Sequence, residues 1–212
     1  DKNVHLLTMQ DGLADNTIST IYKDKDGFMW FGTNNGLSRY DGRSIRNFSF
    51  SQTYMNVTEI FEISEGYLGV IAGGALYCFR KRTESFVPAV CINDSNRLYT
   101  LHVLPADDRT FWALSGRKLC LYTHEEIKNE KGEILFISLK CKREFDRLLD
   151  SEENFSAMCY APDHKMLCMV TDRGKLILFH PDAPDNFQTV RLWNRGHLEV
   201  TSVLCDKGFV WV

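Results

Sequence analysis

Residues 15–50, DNTISTIYKDKDGFMWFGTNNGLSRYDGRSIRNFSF, decide the fold. Turn residues cut this stretch into four short extended runs: Thr17 to Asp24, Phe28 to Thr33, Leu37 to Tyr40 and Ser44 to Phe50. Asp26-Gly27, Asn34-Asn35-Gly36 and Asp41-Gly42 mark the breaks, because glycine supplies the positive φ that a tight reversal needs. The runs therefore predict a four-stranded antiparallel meander. Phe28, Met29, Trp30 and Phe31 form a nearly continuous apolar run, as expected of a strand covered on both faces. One sheet cannot cover both of its own faces, whereas copies of it stacked on either side can.

Copies follow in the chain. Aligning on Trp30 places Gly69, Trp112, Met169 and Trp211 as its counterparts, at steps of 39, 43, 57 and 42 residues. Tyr40, Phe79, Tyr122 and Phe179 each lie ten residues after their anchor. A period of this length with four strands per unit predicts an all-β propeller of four-stranded antiparallel blades. The blades read as about 15–50, 54–90, 98–145 and 155–193, with an incomplete fifth over 199–212 and a closing strand at 3–8. The chain is thus expected to be a fragment of a larger propeller, carrying four complete blades and a truncated fifth. Within blade three, residues 124–132 read as a charged insertion in a hairpin, and 144–154 as a helical turn or an irregular connector.

The first repeat also resembles a known family. Met9-Gln10-Asp11-Gly12-Leu13, Asn16, Asp24-x-Asp26-Gly27-Phe28-Met29-Trp30-Phe31-Gly32-Thr33, Gly36-Leu37 and Tyr40-Asp41-Gly42 are similar to the regulator-propeller repeat of hybrid two-component sensors. The resemblance implies the periplasmic sensory region of a large membrane-spanning receptor, of the kind with which gut bacteria detect oligosaccharides. It also implies that the kinase and membrane anchor lie outside this chain. The later repeats keep the period while losing the letters.

Composition narrows the function. The chain has 212 residues, 44% hydrophobic and 12% aromatic, enough for a sizeable core. A formal net charge of −3 argues against a general nucleic-acid binder, which would present a clustered basic field. No apolar run is long enough to cross a bilayer as a helix. Seven cysteines occur without metal-ligand spacing, so neither a metal nor any other cofactor is expected. Cys78 with Cys91, Cys120 with Cys141, and Cys159 with Cys168 read as neighbours on adjacent strands, and as buried free thiols rather than disulfides.

Catalytic motifs are missing: there is no nucleophile elbow, P-loop or dinucleotide fingerprint. Asp24-x-Asp26-Gly27 reads as a hairpin turn, since an EF-hand loop would need glycine at Met29 and glutamate at Asn35. Binding suits the loops better, because sugars are held by aromatic faces and by fixed amide, carboxylate or guanidinium groups. The loops at one mouth carry Asn34, Asn35, Tyr54, Arg97, Arg117, Asp172, Arg173, Trp193, Arg195 and His197. Those are the candidate ligand contacts, and Trp193, Arg195, His197 and Arg173 form their densest group. A glycan-active enzyme and a passive scaffold for another protein are the rival readings. Self-association through open propeller edges is also expected.

Overall fold

The computed structural model describes residues 6–50, 55–91, 98, 100, 102–150, 152–193, 200, 202–207 and 209–212. The chain divides into two compact units, Asp1–Leu98 with His124–Lys140, and Tyr99–Thr123 with Cys141–Val212. Strands dominate both, and the described residues include no α-helix.

The first unit opens on a short 3-10 turn, Met9–Asp11, capped by Thr8, whose hydroxyl accepts the Gln10 amide. Residues 3–5 of the expected closing strand lie outside the described residues, and Leu6–Thr8 are not in a strand. Gly12 and Asn16 have local duties here. Gly12 takes a φ of 109°, and its carbonyl accepts the Asn47 amide, while Asn16 accepts the Met9 amide. Strands β1 (Ile18–Lys23), β2 (Met29–Thr33), β3 (Gly36–Tyr40) and β4 (Ile45–Phe48) form one antiparallel meander. A second follows, of β5 (Val57–Ser64), β6 (Tyr67–Ala72), β7 (Ala75–Arg80) and β8 (Ser85–Val87). Between these sheets Trp30, fully buried, meets the Phe79 ring at 5.3 Å and the Phe48 ring at 5.8 Å, with Leu68 and Val70 against them. The nearly continuous apolar run of the second strand is explained by this stacking.

β9 (Ala89–Cys91) then pairs in parallel with Ile137–Leu139. Cys91 consequently lies beside a later hairpin and not beside Cys78, which faces Val87 across β7 and β8. The expected Cys78–Cys91 proximity on neighbouring strands is corrected accordingly.

In the second unit, β10 (His102–Asp107) and β11 (Thr110–Ser115) lead into a long hairpin, β12 (Lys118–Lys128) and β13 (Ile134–Phe145). The insertion expected at residues 124–132 is thus mostly strand, turning over Asn129–Glu133 where the Asn129 side chain accepts the Lys131 and Glu133 amides. The outer parts of that hairpin, His124–Lys128 and Ile134–Lys140, belong to the first unit. β14 (Phe155–Ala161), β15 (Met166–Thr171), β16 (Lys175–Phe179) and β17 (Gln188–Arg191) make the next four-stranded antiparallel sheet. β18 (Leu204–Asp206) and β19 (Phe209–Trp211) pair with each other.

Register corrects one anchor of the repeat. Trp30 pairs with Tyr22, Gly69 with Phe61, and Trp112 with Leu104. Counting back from the turn after the second strand in the same way, the equivalent in β15 is Cys168, opposite Cys159, and not Met169. Side-chain direction agrees: Met169 and Leu167 join the cluster around Trp112, whereas Cys168 and Val170 join a separate cluster with Val200. Because successive strand residues point to opposite faces, a slip of one position reverses the face. Its cause is the turn. β2 and β3 are joined by two residues, Asn34 and Asn35, but β15 and β16 by three, Asp172, Arg173 and Gly174.

Candidate functional site

The turns between second and third strands repeat a single construction. The first turn residue donates its amide to the carbonyl just ahead of the sheet's first strand: Asn34 to Thr17 at 3.3 Å, Gly73 to Asn56 at 3.1 Å, and Asp172 to Asn154 at 3.0 Å. Threonine at the end of the second strand supports the turn, the Thr33 hydroxyl accepting the Asn35 amide and the Thr171 hydroxyl the Lys175 amide. Turn and strand entry are thereby fixed at the same end of each sheet, as a rigid base for exposed side chains.

In the first unit this end presents Asn34 and Asn35, both exposed. Ser19 and Asn56 join side chain to side chain beside it at 3.0 Å. Tyr54 and Arg97 lie outside the described residues, as do Arg195 and His197.

The second unit assembles more. Both carboxylate oxygens of Asp172 are held by Asn154, Oδ1 by its amide at 3.0 Å and Oδ2 by its side-chain nitrogen at 2.9 Å. Burial raises the Asp172 carboxyl, but these donated hydrogen bonds and the nearby guanidinium groups outweigh it and bring it below the usual range. Arg117 donates to the Asp150 carbonyl. Lys175 meets Asp150 at 2.6 Å and the buried Glu153 at 2.7 Å. Arg173 reaches Glu152 at 2.9 Å, with both side chains more than half exposed. Trp193 lays its indole over Gly174 so closely that a Cβ there would overlap the ring. Gly174 also holds a φ of 72°, so any other residue would meet both penalties.

Of the ten candidates, Arg117, Asp172, Arg173 and Trp193 therefore come together in the second unit, while Asn34 and Asn35 belong to the first. Missed by sequence reasoning were Asp150, Glu152, Glu153, Asn154 and Lys175. The signal was the acid-rich run Asp150-Ser151-Glu152-Glu153-Asn154 ahead of β14. Of the connector expected over 144–154, Glu144 and Phe145 belong to β13, and residues 146–150 are irregular with Leu148 buried in the core.

The seven cysteines are free thiols in this structure. Burial pushes Cys78 and Cys120 up to about 12, which keeps both inert.

Residues 12–35 match the family described as the two component regulator propeller. The matched residues run from Gly12 through β1 and β2. The match takes in Gly12 and the hairpin in which Asp24 holds the Trp30 indole. Many solved structures share the fold of this chain, these three among them. Two are extracellular domains of B. thetaiotaomicron proteins described as hybrid two component systems. One is 12% identical with a TM-score of 0.54, covering 92% of this chain and 30% of its own; the other is 16% identical with a TM-score of 0.50, covering 87% and 31%. The third is the WD40 beta propeller domain of Doa1, 11% identical with a TM-score of 0.60, covering 91% of this chain and 59% of its own. The chain thus spans less than two thirds of each. A comparison with curated proteins finds no match.

Proposed function

We propose that this chain is part of the extracytoplasmic, ligand-sensing region of a hybrid two-component receptor and that its ligand is an oligosaccharide. The regulator-propeller repeat at residues 12–35 supports the sensor class. The extracellular origin of two similarly folded proteins favours a periplasmic position. Signal output and membrane attachment belong, in this reading, to other parts of the receptor, and the propeller itself performs no chemistry.

The observation that carries the ligand reading is the placement of Trp193 against Gly174, one residue from Arg173 on the same turn. A half-buried indole offers a sugar ring a stacking surface, and an adjacent guanidinium offers paired donors to its hydroxyls. The neighbours divide by role. Asp172 and Arg117 are engaged in holding the turn and the strand entry, so they build the base. Among the described residues Arg173 is paired with the exposed Glu152, a contact of about 0–1 kcal/mol that a ligand can replace.

The test is titration of an oligosaccharide panel into the protein, followed by calorimetry and by assay of released reducing ends. Binding without turnover is expected, with affinity about tenfold weaker in Arg173→Ala. Unchanged affinity in that variant removes Arg173 from the site. Release of reducing ends would replace the sensor reading with a glycan-active enzyme.

A further inference from the structure

Three sulfurs converge in the second unit. Cys159 of β14 and Cys168 of β15 face each other in register. Cys205 of β18 brings its Sγ to 2.7 Å from that of Cys159, and all three Sγ atoms lie within 4.8 Å of one another. Ala157, Val170, Val203 and Val210 pack around them. Cys168 is fully buried, and Cys205 is partly open to solvent.

Two chemistries use such a cluster, a thiophilic metal or a disulfide, and the spacing separates them. Two thiolates on one tetrahedral zinc, each about 2.3 Å from the metal, stand roughly 3.8 Å apart. At 2.7 Å, Cys159 and Cys205 are too close to share a metal in that geometry and close to the bonded separation of about 2.05 Å. Topology points the same way. Cys159 and Cys168 lie on strands already paired along their length, so a bond between them would add little constraint. Cys205 lies on a two-stranded ladder, and a bond from it to Cys159 fastens that ladder to a complete sheet.

We propose that Cys159 and Cys205 form a disulfide, with Cys168 left beside it as a free thiol. The oxidant required is a small disulfide such as glutathione disulfide. The Cys205 thiolate, the more accessible sulfur, attacks one glutathione sulfur and expels the other glutathione as a thiolate. Cys159 then loses its proton, and its sulfur displaces the second glutathione from Cys205. Two protein thiols become one S–S bond, and one glutathione disulfide becomes two glutathione molecules. The proton of Cys159 passes to the glutathione thiolate released in the first step, which leaves as glutathione. The proposal does not depend on the ligand reading above.

The experiment uses the native protein. It is incubated with glutathione disulfide, quenched in acid, unfolded, alkylated with iodoacetamide and digested with trypsin without reduction. Cleavage after Lys165 separates the Cys159 and Cys168 peptides, and cleavage after Lys207 releases the Cys205 peptide. A linked Cys159–Cys205 peptide with Cys168 alkylated is expected, and Cys168→Ser should still form it. Alkylation of both Cys159 and Cys205 overturns the proposal, as does a Cys159–Cys168 link in their place. One equivalent of zinc retained by the reduced protein, measured by release to a chromogenic chelator, overturns it in favour of a metal site.

Discussion

Asp24 accepts the Trp30 indole N–H at 2.8 Å through Oδ2, while its Oδ1 accepts the Phe28 amide at 2.9 Å. The carboxylate is only 4% exposed, so one side chain closes the hairpin and supplies the partner that a buried indole requires. The spacing of the aspartate and tryptophan in the repeat follows from that double duty. Asp24→Ala would leave a buried N–H without its acceptor and open the turn. The expected loss is about 2–4 kcal/mol in urea unfolding, against about 3–5 kcal/mol for Trp30→Ala, which also leaves a cavity. Asp24→Ala within about 0.5 kcal/mol of the wild type would show that the hydrogen bonds contribute little.

Gly69 stands where blade one has Trp30, and the Phe61 ring fills the space above it, so that a Cβ on residue 69 would overlap the ring. Strand glycines of this kind mark close approach and not flexibility. Gly69→Ala is expected to cost about 1–3 kcal/mol by overpacking. In the Phe61→Leu background, which removes the ring, the same change should cost less than half as much. A double-mutant cycle showing simple additivity would sink this account.

The repeat was legible because its punctuation is chemical: Asp26-Gly27 and Asp41-Gly42 turn the chain, and Trp30 has aromatic counterparts at Trp112 and Trp211. Blade four was not legible to the residue. Leu167, Cys168, Met169 and Val170 are all apolar, so the pattern carries no parity, and the extra residue in the Asp172–Gly174 turn moves the face by one. The site divides similarly. Arg173 and Trp193 stand out from loop chemistry, since each occupies a turn or strand end on its own. The partnership of Lys175 with Asp150 joins residues 25 apart in sequence, and neither is unusual alone. Nor does any spacing rule place Cys205 beside Cys159, because their meeting depends on two sheets and not on one hairpin.

Lys175 ties the strand entry to the turn. Burial lowers its ammonium, but hydrogen bonds to Asp150 and Glu153 outweigh that and raise it above the ordinary value. A raised lysine stabilises the fold fully below its unfolded value near 10.5, and the contribution disappears as pH rises through the folded value. Asp150 moves the other way, its carboxyl lowered by Lys175, so its share is present above about 4 and declines in more acidic solution. Lys175→Met should cost about 1–3 kcal/mol at pH 7 by leaving Glu153 buried without its partner. The gap between wild type and variant should narrow above pH 10.5, as measured by urea unfolding at several pH values. A gap that widens there would contradict the assigned sign.

Trp211 occupies the anchor position of β19, yet it is 61% exposed, whereas Trp30 and Trp112 at the same position are 0% and 5% exposed. Phe209 beside it is 66% exposed, with Leu204 and Val212 also open. An apolar strip on a two-stranded ladder is a surface that copies of the chain can share, by stacking or by pairing. Burying Phe209 and Trp211 from each of two copies gives roughly 6–12 kcal/mol at about 1.5–3 kcal/mol per side chain. Association itself costs an amount of the same order, about 4–15 kcal/mol, so a weak dimer is the expected outcome and a tight one is not. Light scattering should show the mean mass rising as protein concentration passes through tens to hundreds of micromolar. Trp211→Glu with Phe209→Ser should hold the protein at monomer mass over the same range, while leaving the Trp30 and Trp112 cores intact by near-ultraviolet circular dichroism. Wild-type protein that stays monomeric at those concentrations would rule out this strip as a self-association surface.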